Sequence, residues 1–340
     1  MSTLTTSPAS GSYPSMQEIM DTANRLRGKV LRTPVWRWQT GAVKDCFGDD
    51  TEVWLKLELF QKTGTFKVRG ALNSMDALDD AARRRGVVAV SAGNHAIAVA
   101  YAARAHGVHA KVVMPRHASP ARIAACREHG ADVILMPDVH RAFGHGLEIE
   151  EAEGRTMVHP YDGPLIAQGT ATVGLELLEQ IPDLDAVLVP VGGGGLLAGI
   201  SAAVKQRLPA CAVYGVEPEG ADAMNRSFRS GRPERLERVD SVADSLGAPY
   251  AMDYSFGVCR RFADGMVRVS DDDICTAMVR LYRDVKLVAE PAAATAAAGL
   301  FGPLRDLLHG KRVALIVCGS NIDPPRFSEL LQRGTAEACA

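Results

Sequence analysis

The chain has 340 residues, 47% of them hydrophobic and 23% charged, with a formal net charge of −2. That length supports two lobes with real cores, and the composition excludes a disordered or fibrous chain. Near-neutrality removes the electrostatic footprint of a nucleic-acid binder, so no nucleic-acid partner is expected.

Residues 1–15 are rich in Ser, Thr, Pro and small side chains, which predicts a flexible tail. They lack the basic start and apolar block of a secretory signal. No apolar stretch is long enough to span a bilayer, the Ala-rich run Pro291 to Leu300 included, so no membrane partner is expected. Cys46, Cys126, Cys211, Cys259, Cys275, Cys318 and Cys339 are scattered and form no C-x-x-C pair. That pattern fits reduced thiols in a cytoplasmic protein better than a disulfide framework or a zinc site.

In chain order, Val87 to Val90 is a short β-branched run, and Asn94 to Ala105 reads as a helix closed by Gly107. Ala110 to Met114 is the next strand. Ser119 is placed to cap a helix with Pro120 at its first position, where no amide hydrogen is needed. That helix ends at Gly130, and Asp132 to Met136 is a third strand. Such β-α-β-α-β alternation demands a parallel sheet with right-handed crossovers. A second α/β region begins near Asp185. Ala186 to Val191 is almost wholly apolar, as a strand buried on both faces should be. Gly192 to Gly195 follow, then a helix from Leu196 to Arg207 and a strand from Ala212 to Val216. Helices are predicted at Asp271 to Arg283 and Glu290 to Leu300, and a late strand at Arg312 to Val317. The fold class is therefore α/β with two lobes. The small lobe, 81–160, is inserted in a large one made of 16–80 and 161–335.

Three stretches carry chemistry. Lys67 lies between Phe66 and Val68 in TGTFKVRG. A lysine amine is nucleophilic only when unprotonated, and apolar neighbours favour that form. The plainer alternative is a surface lysine at a helix start. Ser91-Ala92-Gly93-Asn94-His95 joins a strand to a helix, where free amides and the helix dipole attract an anion such as a substrate carboxylate. Alternatively Asn94 only caps the helix. Gly192, Gly193, Gly194 and Gly195 let the backbone curl round a bulky anion such as a phosphate. The same loop admits a rival: Gly193, Gly195 and Ala198 satisfy G-x-G-x-x-A, and Glu217 falls where a ribose-binding acid would sit, so a nicotinamide-dependent oxidoreductase stays open.

Taken together, these stretches resemble the β-family (fold type II) pyridoxal-phosphate enzymes, in particular serine/threonine dehydratases and serine racemase. KLELFQKTGTFKVRGA, PVGGGGLLAG, GVEPEGADA, KLVAEPAAA and VCGSNID carry the resemblance from about Thr33 to Asp323. It implies a two-lobed fold of the tryptophan synthase β type. It implies a lyase that eliminates water from L-threonine, L-serine or a larger L-β-hydroxy amino acid such as hydroxyaspartate or phenylserine, giving a 2-oxo acid and ammonia. An amino-acid racemase is the alternative within the family. The cofactor would be pyridoxal 5'-phosphate, held as a Schiff base on Lys67 with Phe66 on a ring face and Asn94 on the ring hydroxyl. Gly192 to Gly195 and the Leu196 amide would hold its phosphate, and Cys318 would lie beside the pyridine nitrogen. Ser91, Asn94 and His95 would bind the substrate, and Glu290 would lie near the cofactor or serve structure alone. A homodimer or higher homo-oligomer is implied, with no C-terminal regulatory domain.

Departures from the family pattern are informative. Ala92 stands where the racemase branch has the Ser that handles the second face of the substrate, which favours elimination. Glu217, Ala221, Leu246 and Ala248 match the segments of a cation site, but Ala223 replaces an Asp, so a monovalent rather than a divalent ion is expected. Ile97-Ala98, Ser320 and the segment IAQGTATVGLE are expected to reshape the side-chain pocket.

Overall fold

The computed structural model describes residues 13–337. Of the expected tail, residues 1–12 lie outside the described residues. The last three are anchored: the Tyr13 ring meets Phe262 edge-on at 4.9 Å, the Pro14 carbonyl accepts from Gln206, and Ser15 forms a capping box with Glu18. Tyr13 is aromatic, and its burial against Phe262 outweighs the composition around it.

Ten strands form two sheets: β1 (Val35–Trp38), β2 (Glu52–Lys56), β3 (Val87–Val90), β4 (Ala110–Pro115), β5 (Asp132–Met136), β6 (Thr156–Met157), β7 (Ala186–Pro190), β8 (Ala212–Pro218), β9 (Gly265–Val269) and β10 (Arg312–Ile316). The six-stranded sheet runs β1-β2-β10-β7-β8-β9, with only the β1–β2 pair antiparallel. The four-stranded sheet runs β5-β4-β3-β6 and is wholly parallel. Every residue of β7 is buried, which is why its sequence reads as one apolar run instead of alternating.

The large core gathers side chains on both sides of the six-stranded sheet, including Val187, Leu188 and Leu315. The core of the four-stranded sheet draws on Val87, Ala89 and Val112. It also takes Val68, Ala71, Leu72 and Met75 from the helix Lys67–Asp76. The chain before residue 81 thus serves both cores, and Leu72→Ala would cost about 2–5 kcal/mol through the cavity it leaves. Hydrophobic period shows which face of a helix is buried, but not which sheet receives it.

Two expectations are corrected. Ser119 does occupy the position before Pro120, but its side chain makes no cap and instead donates to Asp323 at 2.8 Å. Ile97 and Ala98 are buried in the core of the small sheet and do not reach the cavity described below.

Candidate active site

The C-terminal ends of β3, β7 and β10 converge on one cavity of about 1090 Å³ between the two sheets. Lys67 is the first residue of its helix, and its Nζ donates to the Pro160 carbonyl at 2.6 Å while standing 5.3 Å from the centroid of the Phe66 ring. Desolvation lowers the amine to about 8, against the pull of Cys318 and Glu290 in the other direction. The surface-lysine alternative therefore falls. Two residues on, Arg69 is fully buried, with paired bonds to Glu58 and Glu176 and a further one to Thr172. Lys56 adds a second buried cation against Glu176. These balanced charges clamp the start of the Lys67 helix, and removing one partner would leave an uncompensated buried charge.

At the end of β3, Ser91 Oγ accepts from the Gly93 amide at 3.1 Å and shapes the turn into the helix Asn94–Ala105. The first turn of a helix leaves its amides without intrahelical partners, and here they open at Asn94 and His95 in the cavity wall. Asn94 is not a cap. Its Nδ2 donates to Glu290 Oε1 at 2.7 Å and to Ser245 at 3.3 Å, and its Oδ1 accepts from Asn321 at 2.8 Å. His95 Nε2 lies 2.7 Å from the Val158 carbonyl, and burial holds the imidazole down at about 3. It is therefore neutral, with the proton on Nε2 facing that carbonyl.

At the end of β7, Gly192 to Gly195 lead into the helix Gly195–Arg207. Gly194 adopts φ +92°, which favours glycine, and a Cβ on Gly193 would fall 2.1 Å from Tyr161 Cδ2. The Gly195 carbonyl is held by Thr170 Oγ1 at 2.7 Å. The result is a rigid backbone concavity at the positive end of a helix, with the Leu196 side chain in the wall.

Cys318 follows β10. Burial pushes its thiol well above its ordinary value, so it is a neutral thiol facing the cavity. Glu290 is buried, with Oε1 on Asn94 and Oε2 without a partner, and burial raises its carboxyl to about 7. The sequence left open a purely structural Glu290; an unpaired buried oxygen in the cavity wall argues for a role in the site.

Sequence reasoning missed His159, Pro160 and Tyr161, which bring a carbonyl to Lys67 and a ring to the glycines. Short polar-aromatic segments between elements carry no periodic signal, and only the contacts single them out. Arg122 was missed as well: it bridges Asp244 at 2.7 Å and the Asn321 carbonyl at 2.9 Å across the cavity rim. Of the residues expected to reshape the pocket, only Ile166 and Thr170 of the IAQGTATVGLE segment line it, and Ser320 does not.

The residues fit a bound aldehyde cofactor with a phosphate arm. A desolvated amine, an anion cradle built of glycine amides, a neutral thiol and an orphaned carboxylate oxygen surround one space. A family model described as "Pyridoxal-phosphate dependent enzyme" matches residues 26–319. The chain belongs to that family.

This pyridoxal-phosphate enzyme is 50% identical over 323 residues to phenylserine dehydratase from Ralstonia pickettii, covering 94% of this chain and 97% of the relative. It is 38% identical to L-threonine ammonia-lyase from Thermotoga maritima, covering 95% of this chain and 80% of the relative. Maize serine racemase shares its fold with a TM-score of 0.88 at 31% identity, covering 97% of this chain and 100% of that one. The nicotinamide alternative is overturned by the family match. The acid assigned to the ribose in that reading, Glu217, accepts the amides of Met224 at 3.0 Å and Asn225 at 2.6 Å.

Proposed function

We propose that this pyridoxal-phosphate enzyme is an ammonia-lyase whose substrate is an L-β-hydroxy amino acid with a large apolar β-substituent, phenylserine being the model case. The observation that carries the lyase reading is the Lys67 amine, held at about 8 in a cavity walled by two separate anion cradles. One cradle suits a phosphate, the other a carboxylate. The preference for a large substituent is supported by Val139, Phe143, Leu236 and Val239 in the cavity wall, and by the phenylserine dehydratase relative.

When bound, the cofactor supplies an electron sink for the bond broken at Cα. Gly192 to Gly195 and the Leu196 amide would hold its phosphate, Phe66 would contact its ring, and Cys318 would offer its ring nitrogen a neutral partner. The amides at Asn94 and His95, with Ser91, orient the substrate carboxylate. For Asn94 to donate to the cofactor hydroxyl, its Nδ2 must release Ser245, the longer of its two contacts. Lys67 Nζ takes the α-proton as general base. The β-hydroxyl departs with its bonding pair and takes up one proton to leave as water, the α-proton received by Lys67 closing the balance, and hydrolysis of the enamine product yields a 2-oxo acid and ammonia. Neutral His95 adds no competing charge beside Lys67.

A monovalent cation at Glu217 and the carbonyls of Ala221, Leu246 and Ala248 belongs to the same proposal, as do a cytoplasmic location and self-association. Among the described residues no group of three acidic, His or Cys side chains is gathered for a metal, so carbonyls would supply most of the ligands. The six described cysteines are free, which supports a reducing compartment, and no described helix is long and apolar enough to cross a membrane.

The deciding experiment compares 2-oxo acid release from L-threo-phenylserine, L-threonine, L-serine and L-threo-hydroxyaspartate. kcat/KM for phenylserine should exceed that for threonine by about tenfold or more, as several buried methylene equivalents imply. Preference for serine or hydroxyaspartate would sink the apolar-substituent reading.

A further inference from the structure

The segment leaving β6 reaches the helix Pro164–Gln180 through His159, Pro160, Tyr161 and Asp162. His159 Nδ1 accepts the Asp162 amide at 2.8 Å and the Tyr161 amide at 3.3 Å. A ring nitrogen that accepts two backbone N–H groups carries no proton, so the imidazole is the neutral Nε2–H form. Burial agrees, holding His159 down at about 4. The turn so closed touches both halves of the cofactor site. Its Pro160 carbonyl receives Lys67 Nζ at 2.6 Å. Its Tyr161 ring and carbonyl stand where Cβ atoms on Gly193 and Gly195 would fall, at 2.1 and 2.3 Å. The turn is tied down independently on the large lobe: the Ser255 hydroxyl lies 2.7 Å from the Tyr161 carbonyl and 2.8 Å from Asp162 Oδ1, the Ser255 amide donates to Asp162 Oδ1 at 2.8 Å, and Tyr161 donates from its hydroxyl to the Tyr250 carbonyl at 3.2 Å.

We propose that His159 is a positioning residue that closes the 159–162 turn and thereby sets, with one hydrogen-bonded element, both the Lys67 amine and the wall behind the phosphate glycines. Its own hydrogen bonds run to the Tyr161 and Asp162 amides and to neither group. Its side chain does the work of an Asx turn, in which a side-chain acceptor holds amides two and three residues on. An apolar side chain of similar bulk leaves the two amides unpaired and lets Pro160 and Tyr161 drift together. An asparagine supplies an acceptor at nearly the same place, because Oδ1 and the histidine Nδ1 are equally far along their side chains.

The inference rests on the pyridoxal-phosphate reading of the cavity, and the test separates the two. Wild type, H159L and H159N are prepared free of cofactor. Pyridoxal phosphate is then titrated by intrinsic fluorescence, and modification of Lys67 by an amine-reactive reagent is followed by mass mapping. H159L should weaken the cofactor Kd about tenfold or more, the scale of two lost backbone hydrogen bonds, and should change the Lys67 modification rate. H159N should return both readouts close to wild type. If H159L does not fold, H159Q replaces it, since its amide lies one methylene too far out to close the turn. A wild type that takes up no pyridoxal phosphate overturns the reading of the cavity. A wild type that binds, with H159L equal to it or H159N no better than H159L, overturns the role of the turn alone.

Discussion

Asn94 and Glu290 are 196 positions apart in sequence, yet Asn94 Nδ2 and Glu290 Oε1 meet at 2.7 Å in the cavity wall. The bond ties the turn after β3, in the small sheet, to the helix Pro291–Phe301, which packs on the large one. It leaves Glu290 Oε2 buried and unpaired, and burial raises the carboxyl from 4.5 to about 7. A carboxyl raised in the folded state binds more protons there than in the unfolded chain. Its stability contribution is therefore fully present below about 4.5 and is lost as pH rises through about 7. Glu290→Gln keeps the acceptor for Asn94 and cannot ionise. In cofactor-free protein it should remove up to about 3 kcal/mol of destabilisation at pH 8 and have little effect at pH 5. Urea unfolding of both proteins at both pH values checks this. Equal gains at pH 5 and pH 8 would show that ionisation of Glu290 is not the cause.

Lys67→Ala should reduce turnover by about 10²-fold to 10⁴-fold, the usual contribution of a positioned general base. Phosphate anchoring should survive, because the glycine loop is a separate segment after β7. Borohydride treatment of wild type should fix the cofactor to Lys67, as mass mapping will show. An adduct on another lysine would reassign the base.

Gly193→Ala places a Cβ 2.1 Å from the Tyr161 ring, far inside contact distance, so either the loop or the ring must move. Cofactor affinity should fall by about tenfold or more, as overpacking costs of 1–3 kcal/mol imply. Tyr161→Ala in the same chain should recover part of that loss, since it removes the obstructing atoms. A double-mutant cycle on cofactor Kd measures the coupling. Strictly additive losses would mean that Gly193 is needed for its own conformation and not for the space Tyr161 leaves.

Much of this site was legible before any contact was known. The Ser91 to His95 turn and the four glycines stand at strand-to-helix junctions, Lys67 stands at a helix start, and the cavity brings the three together. What patterning could not show is partnership across the chain. Asn94 is open in sequence to a ligand contact or a helix cap; it makes no cap, and its bonds run to Glu290 and Asn321. Glu217 reads as a ribose acid, yet it holds two amides of the next helix. Ile97 and Ala98 are expected in the pocket because they depart from the family pattern, but helical geometry points them into the core. Asn94 is decided by long-range packing and Glu217 by the path of the chain seven and eight residues on, and neither propensity nor spacing carries a signal for either.

Ala92 lines the cavity between Ser91 and Gly93. Elimination needs removal of the α-proton on the Lys67 side and departure of the β-hydroxyl. Racemisation needs, in addition, a proton delivered to the opposite face, and a methyl group has none to give. L-Serine in heavy water should therefore yield pyruvate and ammonia faster than D-serine. Ala92→Ser should raise the ratio of D-serine to pyruvate by about tenfold or more, the lower range for a positioned acid-base group. Cofactor content should not change, since Ala92 lies outside the glycine loop, and this separates a change of chemistry from a damaged site. The new hydroxyl could instead be captured by neighbouring backbone, in which case both products would fall together. D-serine outpacing pyruvate in the wild type would overturn the lyase assignment while leaving that of the cofactor intact.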